Sequence, residues 1–206
     1  MRVVIIKYNA GNIRSVDYAL RRLGVAAEIS DDPEKIISAD KVIFPGVGEA
    51  ASTMSYLRER ELDKLIAGLT QPVLGICLGQ QLMCRWSEEG DTECIGIFDQ
   101  DVLEFKPQAQ NASFYDEKSV MHKIPHMGWN SLEQLKGDLF PPELLGAFVY
   151  FVHSYYVPAC EDSAALCDYI LPFSAAMQKN NFFATQFHPE KSGQPGEMIL
   201  ANFLKI

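Results

Sequence analysis

The segment around Cys77 has the residue types of a nucleophile held at a corner between a strand and a helix. Cys77 follows an apolar run at residues 73–76, and Gly75 and Gly79 stand two residues away on either side. Because the chain must reverse sharply there, side chains at both flanking positions would clash, and the turn lifts the thiol above the sheet. The start of a helix favours the thiolate, and its free N–H groups, that of Leu78 first, can hold an oxyanion. The pattern indicates thiol chemistry, although Gly-x-Cys-x-Gly also occurs by chance in ordinary strand–turn–helix units.

A histidine and a carboxylate near the carboxyl end of the chain could serve such a thiol. His188 and Glu190 are separated by Pro189, which biases its predecessor toward extended geometry. In an extended backbone the two side chains project to the same side, so Glu190 would fix the orientation and tautomer of the imidazole. The set repeats the logic of a Ser-His-Asp triad with cysteine and glutamate substituted. A surface histidine beside a solvated carboxylate is the alternative interpretation. His153 is a rival base, but it lacks a nearby carboxylate and is predicted to belong to the substrate pocket.

The first half of the chain alternates short apolar runs with longer amphipathic stretches. Strands are predicted at residues 3–7, 25–29, 41–44 and 72–76. Helices are predicted between them, including a stretch that ends near residue 69, and a further helix is predicted over residues 78–86. This order implies a mainly parallel sheet covered by helices on both faces. Ligands gather at the carboxyl ends of the strands in such sheets, where Cys77 is expected.

The second half is richer in aromatic residues and predicts an antiparallel extension of the sheet. Strands are predicted at residues 148–155, 175–179 and 182–187, the last two joined by a turn at Asn180-Asn181, and a closing helix at residues 196–204. The polar region at residues 108–123 is predicted to be a surface excursion. Because nothing resembling a linker separates the halves, we predict a single α/β domain over residues 1–206.

Composition limits the classes of partner and the compartment. The chain has 206 residues, a net charge of −9 and a charged share of 22%. Such an acidic balance argues against nucleic acid or an anionic membrane as the main partner. The apolar run near the amino terminus is too short for a membrane span or secretory signal. The five cysteines are odd in number and lack zinc-like paired spacing, so a reducing cytoplasm is the simplest setting and no metal is expected.

Further motifs, taken with the cysteine corner, give the chain a family resemblance. They are Gly-Asn-Ile-Arg-Ser at residues 11–15, Pro-Gly-Val-Gly at 45–48, Pro-His-Met-Gly-Trp-Asn at 125–130, Tyr-Phe-Val-His-Ser-Tyr at 150–155 and His-Pro-Glu-Lys-Ser at 188–192. With them the chain resembles the triad glutamine amidotransferases, which have a flavodoxin-like fold. Within these it is similar to the glutaminase subunits of imidazole glycerol phosphate synthase. Gln80 departs from the pattern, because methionine is commoner after the family's corner.

The resemblance implies an activity and a partner. Glutamine would be hydrolysed to glutamate and ammonia through a thioester on the cysteine, without metal or organic cofactor. A (β/α)8-barrel cyclase subunit would form a heterodimer with the chain and receive the ammonia. The products there would be imidazole glycerol phosphate and AICAR, in histidine biosynthesis. The Pro-Gly-Val-Gly strand is expected to flip when the partner binds substrate, and its two glycines allow such freedom.

The resemblance also assigns roles to residues that match the family's motifs. The catalytic set is Cys77, His188 and Glu190, and the oxyanion hole is formed by the N–H groups of Val47 and Leu78. The residues expected to bind glutamine are Gly46, Gly48, Gln81, Glu89, His153, Ser154 and Tyr155, with Glu89 suited to the substrate's ammonium. The residues expected to face the partner are Asn12, Trp129 and Lys191.

Other functions remain open at this level. The chain could be the glutaminase subunit of another amidotransferase, serving pyridoxal phosphate, guanylate or anthranilate synthesis. The tryptophan in the segment at residues 125–130 and the valine in Pro-Gly-Val-Gly disfavour those acceptors. A catalytically inert flavodoxin-like scaffold is disfavoured by the complete set of cysteine, histidine and glutamate. A cysteine peptidase or redox relative with the same corner is disfavoured by Gln81 and Glu89.

Overall fold

The computed structural model describes residues 1–8, 12–106 and 123–206. Its helices are α1 Ile13–Arg22, α2 Pro33–Ile37, α3 Ala50–Glu59, α4 Leu62–Ala67, α5 Leu78–Leu82 and α6 Gly193–Lys205. Its strands are β1 Val3–Ile6, β2 Glu28–Ser30, β3 Lys41–Gly46, β4 Val73–Cys77, β5 Trp86–Ser87, β6 Thr92–Glu93, β7 Asp101–Glu104, β8 His126–Ser131, β9 Phe148–His153, β10 Tyr155–Tyr156, β11 Ser163–Asp168, β12 Pro172–Lys179 and β13 Phe182–Thr185. Apart from Lys123, the surface excursion predicted at residues 108–123 lies outside the described residues.

The main sheet confirms the predicted fold class. Its order within the described residues is β11-β12-β13-β4-β3-β1-β2. The five strands from β13 to β2 are parallel, while β12 and β11 add an antiparallel edge. Asn180 has φ 53° in the tight turn that joins β12 to β13, as the sequence predicted. The carboxyl ends of β4, β3 and β13 therefore meet at one edge.

Helices cover both faces of this sheet. The evidence is that alternate residues of its strands pack in two different apolar clusters, each of which includes helical residues. In β1, Val3 and Ile5 pack in a cluster that includes residues of α1 and α6. Val4 and Ile6 pack in a second cluster with residues of α2, α3 and α4. A strand that is buried on both faces has a continuous run of apolar residues in its sequence, and the sequence analysis found such runs. The structure thus has the predicted layers.

Smaller sheets lie beside the main sheet. One has the order β10-β7-β5-β6, and β8 pairs with β9 in another. His126 lies opposite His153 in the β8–β9 pair, which brings two parts of the sequence motifs into contact. Among the helices that the structure describes, none is both long enough and apolar enough to span a membrane.

Several predicted boundaries are wrong, and backbone hydrogen bonds explain the largest error. The helix predicted over residues 78–86 ends at Leu82, because the carbonyls of Leu82, Met83 and Cys84 accept N–H groups from residues 95–98 instead of continuing the helix. The helical stretch predicted to residue 69 is divided at Glu61, whose φ is 54°. The strand predicted at residues 25–29 is β2, which begins only at Glu28. Strands β5, β6, β7, β8 and β11 were not predicted.

Candidate active site

Cys77 sits at a strained corner between β4 and α5. Its φ of 55° and ψ of −109° lie in a region that residues with a side chain rarely adopt. A Cβ atom on Gly79 would lie 2.1 Å from the carbonyl oxygen of Phe44, and one on Gly75 would lie 2.9 Å from the sulfur of Met83. The prediction that glycine is required on both sides of the cysteine is confirmed.

His188 and Glu190 form a buried pair beside this corner. His188 Nδ1 lies 2.8 Å from Glu190 Oε1, so the ring donates to the carboxylate. His188 is extended, with φ −97° and ψ 97°, as Pro189 predicted. The predicted extended geometry across the pair is wrong, however, because Pro189–Lys191 form a turn of 3-10 helix that carries Glu190 back to the ring. His188 Nε2 has no hydrogen-bond partner among the described residues, and the side chain lines the same cavity as Cys77.

The surroundings of His188 favour its protonated form. Burial alone would lower the pKa of the ring, but the neighbouring Cys77 thiol and Glu190 carboxylate raise the pKa above its usual value. Of the two neighbours, the Cys77 thiol raises the pKa of His188 more. A thiolate beside an imidazolium is the charge arrangement that a cysteine nucleophile needs.

A cavity of about 370 Å³ opens over the thiol, a volume typical of small-molecule sites. It is lined by Val47, Gly48, Cys77, Leu78, Gln81, Glu89, Pro125, Val152, His153, Ser154, Tyr155 and His188. Every residue predicted to bind glutamine is in this lining except Gly46. A Cβ on Gly46 would lie 2.7 Å from that of Leu78, so this glycine lets the strand approach the corner. Pro125 and Val152 were not predicted as lining residues.

The wall positions predicted for an oxyanion hole lie side by side. Gly46, the last residue of β3, is paired with Cys77, the last residue of β4, so Val47 and Leu78 each follow directly after the end of adjacent parallel strands. Both line the cavity. Gly48 has φ 125°, which only glycine adopts readily, and nothing lies within 4 Å of its Cβ position. The space beside Gly48 is therefore open, and both the flip expected of this segment and its oxyanion role remain predictions.

Glu89 provides a carboxylate in the wall of the cavity. It is half-buried, and its Oε2 accepts the backbone N–H of Ala50 over 2.8 Å. Burial raises the pKa of Glu89, which the hydrogen bond only partly offsets. A bound ammonium group would relieve this cost, because a nearby positive charge favours the ionised carboxylate.

His153 lies in the wall but has no ring nitrogen free for catalysis. Its Nδ1 lies 2.7 Å from the carbonyl oxygen of Tyr155, and its Nε2 lies 3.0 Å from Nδ1 of His126. Burial, assisted by His126, lowers the pKa of His153 to about 3, so the ring is neutral. The arrangement agrees with the choice of His188 over His153 as base.

The residues predicted to face a partner have different surroundings. Trp129 on β8 is exposed, and its ring stands 6.0 Å from the ring of Tyr150. Lys191 is also exposed, with Nζ 5.9 Å from the centre of the same ring. Asn12 is instead buried, and its Nδ2 donates to Glu190 Oε1 over 3.3 Å. Trp129 and Lys191 thus flank Tyr150 at the surface, whereas Asn12 supports the carboxylate, and all three interface roles remain predictions.

Two further polar contacts reach the sulfur and were not foreseen. Gln186 Nε2 lies 3.8 Å from Cys77 Sγ, and the thiol lies 4.0 Å from the carbonyl oxygen of Val152. Gln186 is wholly buried. Its position two residues before His188 is the sequence signal that could have identified it.

Across residues 1–8, 12–106 and 123–206, no group of three or more His, Cys, Asp or Glu side chains is arranged to hold a metal ion.

Comparisons with known proteins agree with this geometry. The family model described as "Glutamine amidotransferase class-I" matches residues 4–206. A curated protein of Bacteroides fragilis (strain YCH46), named "Imidazole glycerol phosphate synthase subunit HisH", is 60% identical over 206 residues, which is 100% of both chains. The protein of the same name from Escherichia coli (strain K12) is 44% identical over 208 residues, again with 100% of both chains covered.

Solved structures share the fold at low sequence identity. One described as "glutamine amidotransferase" has a TM-score of 0.71 at 19% identity, covering 98% of this chain and 97% of the other. The structure of PurLQS from Thermotoga maritima has a TM-score of 0.66 at 15% identity, covering 99% and 97%. Family match and full-length identity together establish that the chain belongs to the class-I glutamine amidotransferases and, within them, to the family of HisH subunits of imidazole glycerol phosphate synthase.

Proposed function

We propose that this chain is the glutaminase subunit of an imidazole glycerol phosphate synthase, with residues 1–206 acting as one glutamine amidotransferase domain. The observation that carries the proposal is the convergence of Cys77, His188 and Glu190 at the edge of a cavity large enough for an amino acid. Relatives named as HisH subunits, 44–60% identical over the full chain, support the same activity.

The reaction follows from the placement of the three groups. The Cys77 thiolate attacks the side-chain carbonyl carbon of glutamine, forming a C–S bond and a tetrahedral oxyanion. Collapse of the oxyanion breaks the C–N bond, and His188 gives its proton to the departing ammonia. Water then attacks the glutamyl thioester while His188 takes a proton from it, and cleavage of the C–S bond returns the electron pair to sulfur. Glutamate leaves, and the thiolate and imidazolium are restored.

Other groups of the cavity would orient the substrate and stabilise its charge. Glu190 holds Nδ1 of His188, which leaves Nε2 for proton transfer. The N–H groups of Val47 and Leu78 would bind the oxyanion, and a donor of this kind contributes about 3 kcal/mol. We assign the substrate's ammonium to Glu89. The remaining predicted contacts with glutamine are Gly46, Gly48, Gln81, His153, Ser154 and Tyr155.

The partner and the compartment belong to the same proposal. We infer a heterodimer with a (β/α)8-barrel cyclase subunit that receives the ammonia and makes imidazole glycerol phosphate and AICAR. The relatives' designation as subunits supports a partner, and the exposed Trp129 and Met127 of β8 offer apolar contact area near the cavity. A cytoplasmic location is supported by the free thiols of all five cysteines.

A glutaminase assay with and without a cyclase subunit and its nucleotide tests the proposal. If the Val47 N–H is misplaced in the free chain, one lost oxyanion donor lowers its rate by about 10²–10³ relative to the activated complex. Cys77→Ala should abolish hydrolysis, whereas Cys84→Ala, at a buried thiol outside the cavity, should retain it. Equal rates for free chain and complex would refute the activation model.

Two further experiments separate the alternatives. A glutamine-analogue diazo-ketone should label Cys77 in the activated complex, and absence of an adduct would favour an inert scaffold. Activation by a synthetase for pyridoxal phosphate, guanylate or anthranilate, and not by the cyclase, would assign the chain to another acceptor.

A further inference from the structure

Gln186 is the first residue after β13, and its side chain approaches the sulfur of Cys77. Its side chain is wholly buried, and its backbone N–H donates to the carbonyl of Ala175 over 2.8 Å, which fixes its position. The 3.8 Å contact from Nε2 to Sγ is within reach of a hydrogen bond to sulfur. A buried amide with an N–H group facing a thiol acts on the thiol's charge, provided that the nitrogen and not the oxygen is on that side.

The hydrogen bonds around Gln186 determine which end of its amide faces the sulfur. Amide nitrogen and oxygen are assigned from their partners, so the assignment must begin at a group of known character. The carbonyl oxygen of Tyr155 can only accept, and the side-chain atom of Gln81 that lies 3.1 Å from it is therefore the nitrogen. The same nitrogen lies 2.9 Å from the Gln186 side chain, which must present its oxygen there. The N–H group of Gln186 consequently faces Cys77.

The carbonyl of Tyr155 fixes the other side of the network as well. It accepts from Nδ1 of His153 over 2.7 Å, which sets the ring's tautomer and makes its Nε2 an acceptor. His126 Nδ1 on β8 lies 3.0 Å from that Nε2 and donates to it. Every member from β8 to the sulfur thus has one orientation, and Gln186 cannot turn its oxygen to the thiol without breaking the bond to Gln81.

We infer that Gln186 is a further catalytic residue, whose side-chain N–H donates to the Cys77 sulfur and stabilises the thiolate, with Gln81 as the positioning residue that orients it. A thiol is a weak acceptor, whereas a charged acceptor forms a hydrogen bond about twice as strong, so the contact favours ionised sulfur. The donor acts in the resting enzyme and again when the C–S bond of the thioester breaks and the electron pair returns to sulfur. The inference rests on the proposed role of Cys77 as nucleophile.

Alkylation of Cys77 by iodoacetamide as a function of pH tests this inference on the full chain. The Cys77 peptide is quantified by mass spectrometry, and Cys84, Cys94 and Cys167 interfere little because burial raises the pKa of each thiol. We expect Gln186→Met to raise the pH midpoint of alkylation by about one unit. At pH values below both midpoints, this shift corresponds to an alkylation rate about tenfold lower than that of the wild type. Gln186→Glu, nearly isosteric, should raise it further, since a carboxylate places an acceptor and negative charge beside the sulfur.

Gln80→Met is the matched control. Gln80 is also wholly buried, but its Nε2 donates to the carbonyl of Ser174 over 3.1 Å and its side chain is outside the cavity lining. This variant should keep the wild-type midpoint. A merely structural role for Gln186 would lower stability in its variants without moving the midpoint, so a midpoint within 0.3 unit of wild type, on the order of a twofold change in rate, overturns the inference.

A measurement on the wild-type chain covers the case in which the Gln186 variants do not fold. The side-chain amide signals of Gln186, followed by NMR, should shift with pH at the midpoint of Cys77 alkylation, and signals that stay constant would overturn the inference. Failure of the proposed function is distinguishable from failure here. A chain that does not hydrolyse glutamine with any cyclase, yet shows the expected alkylation midpoints, would lose its proposed function and keep the N–H contact.

Discussion

The backbone strain at Cys77 leads to a prediction about stability that is independent of catalysis. A residue with a side chain at φ 55° and ψ −109° lies in a sparsely populated region, which costs about 1–3 kcal/mol. Glycine carries no such penalty at positive φ. Replacing Cys77 with glycine should therefore release strain that replacement with alanine retains, and both variants lack the thiol.

The magnitude is obtained by comparison with a second buried cysteine. An alanine-to-glycine change also removes a methyl group from the core, about 0.8 kcal/mol, and increases the entropy of the unfolded chain, about 0.4–1 kcal/mol. Cys84 is buried and is not among the described residues with positive φ, so the same pair of variants there measures these two costs without strain. Subtracting the Cys84 pair from the Cys77 pair should leave about 2 kcal/mol in favour of glycine at position 77.

Denaturant unfolding of the four variants gives this difference directly. For a chain of this length, 2 kcal/mol corresponds to about 6 °C in melting temperature, which thermal unfolding also resolves. A difference below about 0.5 kcal/mol, or one that favours alanine, would show that the corner is not strained and refute the reasoning.

Other residues give three shorter predictions. Gly79→Ala places a Cβ 2.1 Å from a backbone oxygen of β3 and should lower the free energy of unfolding by about 1–3 kcal/mol in urea, while Gly68→Ala, whose Cβ has only ordinary contacts, should not. The pKa of His153 is lowered to about 3 in the folded chain, so at pH values between this and the ordinary pKa of histidine the ring is protonated only in the unfolded chain. Stability present above the unfolded pKa is then lost as pH falls, by about 1.4 kcal/mol per unit, and His153→Leu should flatten the slope of stability between pH 6 and 4; an unchanged slope contradicts this. Asn12→Ala removes a hydrogen bond to Glu190 and should lower kcat about tenfold with little change in KM, whereas weaker partner binding at constant kcat would support an interface role instead.

The corner and the histidine–glutamate pair were predictable because both depend on residues close in sequence. Gly75, Cys77 and Gly79 lie within one turn of chain, and steric rules alone require the glycines. His188 and Glu190 were paired correctly although the backbone between them was not, because two residues of spacing bring them together in either conformation. Short-range chemistry of this kind is contained in the sequence.

Contacts between distant segments were not predictable in the same way. Asn12 and Glu190 are 178 positions apart, and no local pattern indicates that one is buried against the other. Strand β8 contains Gly128, and its large apolar residues Met127 and Trp129 are exposed to solvent. Because a hydrophobicity pattern assumes that apolar residues are buried, it does not indicate a strand here. These features depend on the assembled sheet.

The structure also breaks ordinary rules of folding where the chemistry is proposed. Buried polar atoms normally have hydrogen-bond partners, and exceptions call for an explanation. Seven buried side-chain atoms lack one among the described residues, and three of them belong to Asn12, His188 and Glu190, which contact one another. Cys77, one of five non-glycine residues with positive φ in the part of the chain that the structure describes, lines the same cavity as His188. Departures from local rules are expected at functional sites, where the surrounding core compensates for them. Unpaired atoms alone do not locate the site, because four others lie on Asp17, Asp63, Gln80 and Gln178. At Cys77 and His188 a strained backbone and an unpaired ring nitrogen meet in one cavity, and a nitrogen that must exchange a proton with substrate cannot already be bonded within the fold.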